Sequence, residues 1–141
     1  MHKKQIIVLD SNEIILGLKG SNSYSKLLIE NLNTLRNFWE FRINQQIYEE
    51  IIRNLPHQTK EKFDKLLNFA IIKYQNQIVD KKLIDKYKGL GLKKGDIIIA
   101  AYADEINSNI LISENRHFLK ELKSRKFKVI NAEKFIKNMM E

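Results

Sequence analysis

Four places in the chain carry side chains whose type and setting suit chemistry: Asp10 in IIVLDSN, Glu50 in IYEEIIRNL, Asp96 in GDIIIAAYA, and Glu114 with Asn115 in NILISENRHF. Each also has a plain structural role. Asp10 follows the apolar run Ile6-Ile7-Val8-Leu9 and suits the N-cap of a helix beginning near Asn12. Glu50 stands beside Ile51 and Leu55 on the boundary of an amphipathic helix, within reach of Arg53. Asp96 follows Gly95 at a helix start, where the dipole and free N–H groups favour a carboxylate. Ser113 or Asn115 suits the cap of the next helix. Together they carry a different implication. Three carboxylates at element termini on one edge of an α/β sheet repel one another unless a cation or a shifted protonation relieves them. The chain has no cysteine, and oxygen-only donors favour Mg²⁺ or Mn²⁺ over zinc. Such an ion lowers the pKa of bound water and offsets charge on a phosphoryl group. On a cationic protein, that chemistry points to phosphodiester hydrolysis.

The charge supports a polyanionic partner. Twenty-five Lys and Arg against 17 Asp and Glu give a formal net charge of +8. Ten lysines fall between residues 60 and 94, and eight Lys and Arg between 116 and 137. A cationic surface draws a polyanion by steering and counterion release. Solvated helix faces are the competing explanation, because KEKFDK and KELKSRK interleave both signs. With 141 residues, 43% of them hydrophobic, the chain suits one domain over residues 1–141 with a substantial core. It has no apolar run long enough to span a membrane, and its start is too short in apolar residues for a signal peptide. Without cysteine there is neither a disulfide nor a thiol nucleophile, which is compatible with the expected cytoplasmic location.

The elements that must position these residues alternate. Residues 5–9 read as a buried strand, residues 12–18 as a short helix ending near Gly17 or Gly20, and residues 24–35 as an amphipathic helix through Leu27, Leu28, Leu32 and Leu35. Residues 38–43 read as a strand, after which Asn44 caps a helix striped by Ile47, Ile51 and Leu55 and stopped by Pro56. A helix is expected over 59–73, with Phe63, Leu66, Leu67 and Ala70 inward, and a weak strand or loop over 77–80. A short helix over 81–88 precedes the loop GLGLKKGD. Asp96 opens an apolar helix, 109–113 is a buried strand, 115–123 a helix, 127–130 a last strand and 132–139 a terminal helix. Helices between short buried strands predict a three-layer α/β/α sandwich around a central parallel sheet. Such sheets bind ligands beyond the carboxyl ends of their strands, which is where Asp10, Glu114 and Asn115 fall.

With these segments in order, the chain resembles the PIN domain family, the metal-dependent nuclease fold shared by VapC-type toxins and RNA-processing enzymes. IIVLDSN is similar to the family's hydrophobic-Asp-Thr-Asn opening, with Ser11 in place of Thr. IYEEIIRNL is similar to its Glu-hydrophobic-x-x-x-Leu helix and puts the acid at Glu50 rather than Glu49. GDIIIAAYA matches an Asp-x-x-hydrophobic-Ala-x-Ala helix, and NILISENRHF a hydrophobic-Thr/Ser-x-Asp/Asn-x-x-Phe segment. The resemblance implies an endoribonuclease in which Asp10, Glu50 and Asp96 hold Mg²⁺ or Mn²⁺. Asn115, with Ser11 or Asn12, orients metal waters or the phosphate, and the products carry a 5′-phosphate and a 3′-hydroxyl. A VapC-type toxin further implies a small antitoxin that covers the acidic cleft, and a homodimer. One departure is Asn115, where many members carry Asp; it removes an anionic ligand and gives weight to a binding-only PIN-like module.

Other residues have weaker claims. Arg53, Lys93, Lys94 and Arg116 lie near the acidic segments and suit the RNA backbone. His117 is expected at the surface beside core Phe118, His57 in a turn and His2 at the terminus, with no zinc spacing among them. Trp39 and Tyr102 could stack bases, although Trp39 beside a strand suits the core. GLGLKKG lacks the order of a nucleotide-binding loop. An Asp-nucleophile phosphatase would want a second acid two residues after Asp10, where Asn12 stands.

Overall fold

The computed structural model describes residues 3–122 and 126–140. Among them, β1(Gln5–Leu9) is the central strand of a five-stranded sheet. The others are β2(Trp39–Asn44), β3(Ile72–Gln75), β4(Ile110–Ile112) and β5(Lys128–Ile130), in the order β3-β2-β1-β4-β5 with every pairing parallel. The eight helices among the described residues are α1(Ser11–Lys19), α2(Ser23–Leu35), α3(Gln45–Asn54), α4(His57–Asn68), α5(Lys81–Lys88), α6(Lys94–Glu105), α7(Arg116–Glu121) and α8(Ala132–Met140). This is the expected three-layer α/β/α architecture. Ile6, Ile7, Val8 and Leu9 are all buried, because a central parallel strand has both faces covered and so reads as an unbroken apolar run. No helix among the described residues is long and apolar enough to cross a membrane.

The parallel register fixes where the strands end. Leu9 of β1 pairs with Ile112 of β4, and the Asp10 N–H continues the ladder to the Ile112 carbonyl at 3.0 Å. Asp10 and Ser113 therefore leave the sheet side by side. Asn44, the last residue of β2, accepts from Ile47 N at 3.0 Å and caps α3, which delivers Glu50 one turn later. Pro56 stops that helix and N-caps α4.

α1 passes through Gly17 and ends at Gly20. A Cβ on Gly17 would stand 2.3 Å from Ile29 Cγ1 and 2.7 Å from the Ser25 carbonyl, so glycine lets α1 and α2 cross at close range.

Two expectations need correction, and one alternative is decided. The fourth helix does not run to residue 73: α4 ends at Asn68, Ala70 takes φ 54°, and β3 starts at Ile72. Ala70 consequently lies exposed rather than inward. Of the two alternatives for residues 77–80 the loop holds, and Asp80 accepts from Lys82 N and caps α5. Asp96 does not open its helix. Lys93 is the N-cap of α6, without a side-chain bond, and Asp96 sits in the first turn. The end of the expected 115–123 helix lies outside the described residues beyond Leu122, as does His2.

Candidate active site

Asp10 is 3% exposed at the tip of the central strand. Its Oδ1 accepts from Ser11 N at 2.8 Å, and its Oδ2 accepts from Ser113 Oγ at 2.6 Å. It is thus the cap of α1 and also tied to the end of β4. Burial pushes the Asp10 carboxyl up to about 7; the bonds from Ser113 and Ser11 oppose this, while the charges of Glu50 and Asp96 add to it. Hydrogen bonds bring the three carboxylates, from the end of β1, from α3 and from α6, into one region: Ser11 bonds both Asp10 and Glu50, and Ser113 links Asp10 to Asn115, which holds Asp96.

Each of the other two acids is held by neutral donors. Glu50 Oε1 accepts from Ser11 Oγ at 2.6 Å, and its Oε2 accepts from Gln46 Nε2 at 2.8 Å. The start of α6 presses against this pair: a Cβ on Gly95 would lie 2.9 Å from Glu50 Oε2 and 3.0 Å from Gln46 Nε2. Asp96 Oδ2 accepts from Asn115 Nδ2 at 3.2 Å. Partial burial raises the Asp96 carboxyl, the Asn115 bond opposes this, Glu50 raises it further, and Lys93 and His117 lower it. Asn115 does double duty, because its Oδ1 also accepts from His117 N and caps α7.

The remaining residues singled out from the sequence divide. Ser11 belongs to the cluster through Glu50, and Lys93 lies close enough to Asp96 to act on its charge. Asn12 turns its Oδ1 to Glu114 N at 3.2 Å, bracing the turn after β4 rather than facing the acids. Arg53 is exposed and donates back to the Glu49 carbonyl of its own helix. Lys94 and Arg116 are exposed at the starts of α6 and α7. Tyr102 is fully buried with its hydroxyl donating to Gln75 Oε1, so it offers no face to a base. Trp39 packs edge-on against Phe135.

Sequence reasoning missed Glu13, Gln46 and the tether from Ser113 to Asp10. Glu13 is 0% exposed on α1, and its Oε1 accepts from Ser25 Oγ at 2.8 Å. Its neighbour is Glu114, whose Oε2 accepts from Ala132 N at 2.9 Å. Burial, and next the Glu114 carboxyl against it, push Glu13 up to about 9. A periodicity signal was present, because Glu13 falls next to Ile14 and one turn before Gly17 on the helix face toward α2, but its charge marked it as a surface residue.

The donors around Asp10 are all oxygens, and burial with mutual repulsion is the setting a cation relieves. Among the described residues, no three His, Cys, Asp or Glu side chains stand close enough to ligate one ion together. Mg²⁺ commonly uses one or two carboxylates and keeps several waters, so a site of this kind does not require all three acids on the ion.

No protein-family model matches the chain, and no curated protein matches it. Among solved structures, the chain is similar to one in the crystal structure of VapBC2 from Rickettsia felis bound to a DNA fragment from their promoter. The TM-score is 0.68 at 16% sequence identity, over 90% of this chain and 98% of that one. The likeness is one of fold, and it extends over nearly the whole of both chains.

Proposed function

We propose that this protein is a Mg²⁺- or Mn²⁺-dependent endoribonuclease of the PIN type. The observation that carries the reading is Asp10. It is a buried carboxyl at the end of the central strand, held by Ser113 and charged against Glu50 and Asp96 from two separate helices. A structural cap needs none of that convergence.

Asp10, Glu50 and Asp96 would hold the ion, directly or through water. Bound there, it would lower the pKa of a water and offset charge on the scissile phosphate. The chain's own residues do the positioning. Ser11 and Gln46 fix the two oxygens of Glu50. Asn115 fixes Asp96 and would help to orient a water of the bound ion. Asn12 braces the turn that carries Asn115. Lys93 and Lys94 at the start of α6, and Arg116 at the start of α7, present positive charge beside the acids for the RNA backbone. Arg53, exposed and bonded to the Glu49 carbonyl through Nε, would offer its remaining guanidinium N–H groups to the RNA.

The fold likeness to a chain of a VapBC2 complex supports reading the protein as a toxin with an antitoxin partner; blockage by that partner, action in the cytoplasm and a homodimer belong to the proposal through the family resemblance alone. Growth arrest on expression, relieved by the product of a short neighbouring gene, tests that part. The second reading is a PIN-like RNA- or protein-binding module without catalysis. It is favoured by Asn115, which supplies an amide where an acid would add a ligand. Incubation of the protein with mixed cellular RNA in Mg²⁺, Mn²⁺ or EDTA separates the two. The nuclease cuts only with metal; the module binds RNA equally in all three and cuts in none.

A further inference from the structure

We infer that the carboxyl pair of buried Glu13 and half-buried Glu114 is a positioning device, which holds the turn after β4 against α1 and so keeps Ser113 on Asp10 and Asn115 on Asp96. The inference rests on the nuclease reading for its functional consequence, but its structural half stands separately.

The geometry is that of a clamp. Glu13 is anchored on one oxygen by Ser25 Oγ of α2 at 2.8 Å, while its Oε2 is buried and meets no N–H or O–H donor. Asn22, which caps α2 on Ser25 N, also reaches Glu114 Oε1, and this brings the Glu114 carboxyl close enough to act on Glu13. Two acceptor-only carboxylates cannot bond each other; a proton on one turns the contact into an O–H···O bond. Burial holds Glu13 protonated at neutral pH, so this bond can form. Glu114 is then fixed from several sides: by Glu13, by Ala132 N of α8 at 2.9 Å on Oε2, by Asn22 Nδ2 at 3.5 Å on Oε1, and by Asn12 Oδ1 on its backbone N–H. Ser113 and Asn115 flank it in sequence. Ser113 Oγ donates to Asp10 and accepts from Asn115 N at 2.9 Å, so displacement of Glu114 is felt at both acids. Gly17 permits the close crossing that puts Glu13 opposite Ser25.

The test compares Glu13→Gln, which keeps size and a hydrogen-bond donor toward Glu114, with Glu13→Met, which keeps size alone. Two readouts are taken on each: RNA cleavage in Mg²⁺, and hydrogen exchange at the amides of Glu114, Asn115 and Ala132. Glu13→Gln should retain both. Glu13→Met should lose exchange protection at those amides. It should also lower kcat about 10- to 100-fold, the usual effect of removing a group that orients the ligands of a metal site, with KM for RNA unchanged. The reciprocal Glu114→Met, at a half-buried position, should give the same loss and decides the matter if Glu13→Met does not fold. Wild-type behaviour in the Met variants overturns the inference, as does equal loss in Glu13→Gln and Glu13→Met, which would mean that a negative charge rather than a donor is needed. If the wild type itself does not cut RNA, the nuclease reading fails and the exchange comparison alone judges the clamp.

Discussion

Replacing Glu13 by Gln should make the protein more stable at neutral pH and change how its stability responds to pH. Glu13 has an ordinary value of 4.5 and is pushed up to about 9 in the fold by burial and by Glu114. Below pH 4.5 both the folded and the unfolded chain carry the proton, and Glu13 contributes its full share of stability. Above it, the unfolded chain releases the proton while the fold keeps it, so stability falls by about 1.4 kcal/mol for each pH unit up to the folded value. At pH 7 the interval above 4.5 corresponds to a cost of roughly 3 kcal/mol. Gln carries no such cost. Its second amide hydrogen finds no acceptor in this site, which subtracts roughly 1–3 kcal/mol at every pH. The variant should therefore match or fall below the wild type at pH 5 and overtake it as pH rises, with the difference growing by up to roughly 4 kcal/mol between pH 5 and pH 8. Asp10, which is also raised, titrates in both proteins and largely cancels. Urea unfolding at pH 5, 6, 7 and 8 measures the difference directly. A gap that stays constant across these pH values would refute a protonated Glu13.

Gly95→Ala would press a Cβ against Glu50 Oε2 and Gln46 Nε2; it should cut RNA cleavage about tenfold or more through misplacement of Glu50, while the thermal midpoint changes little. Gly17→Ala meets Ile29 and the Ser25 carbonyl instead, and should destabilise by about 1–3 kcal/mol in urea unfolding, as overpacking does. Asp104→Ala removes a buried carboxylate bonded by Lys86 at 2.9 Å and Tyr87 at 2.8 Å, with Lys126 at 3.5 Å. Burial alone would raise Asp104, but these partners hold it below the ordinary range. Its contribution is present above the unfolded value and is lost as pH falls through the folded one, so the Ala variant should be destabilised at pH 7 by roughly 3 kcal/mol and converge on the wild type in acid.

Much of the architecture was legible because apolar periodicity and caps agree. The run from Ile6 to Leu9 read as a strand covered on both faces, and Asn44 and Pro56 bracket α3 as their side chains require. The strand β3 was not legible. Helix α4 ends at Asn68 and the chain turns at Ala70 with φ 54°, where glycine is the usual signal, so the pattern read on through Ile71 and Ile72. In the candidate site, Asp10 stood out by its place after a strand, and Glu50 and Asp96 through the segments that resemble the PIN family in order. Glu13 was invisible for a physical reason. A buried carboxylic acid needs Ser25 from α2 and Glu114 from beyond β4, and neither contact leaves a mark in the residues near position 13. Arg53 shows the converse: proximity to Glu50 in sequence did not bring its guanidinium to the acids, because the helix turns it to solvent.

The central claim is that Asp10, Glu50 and Asp96 form a metal site that cuts RNA, and it is tested most directly at Asp10. Wild type and Asp10→Asn, matched for folding by their melting curves, are incubated with mixed cellular RNA in Mg²⁺, Mn²⁺ and EDTA. The account predicts metal-dependent cleavage by the wild type and none by Asp10→Asn under any condition. Undiminished cleavage by the folded variant would contradict it, leaving Asp10 the cap of α1 and nothing more.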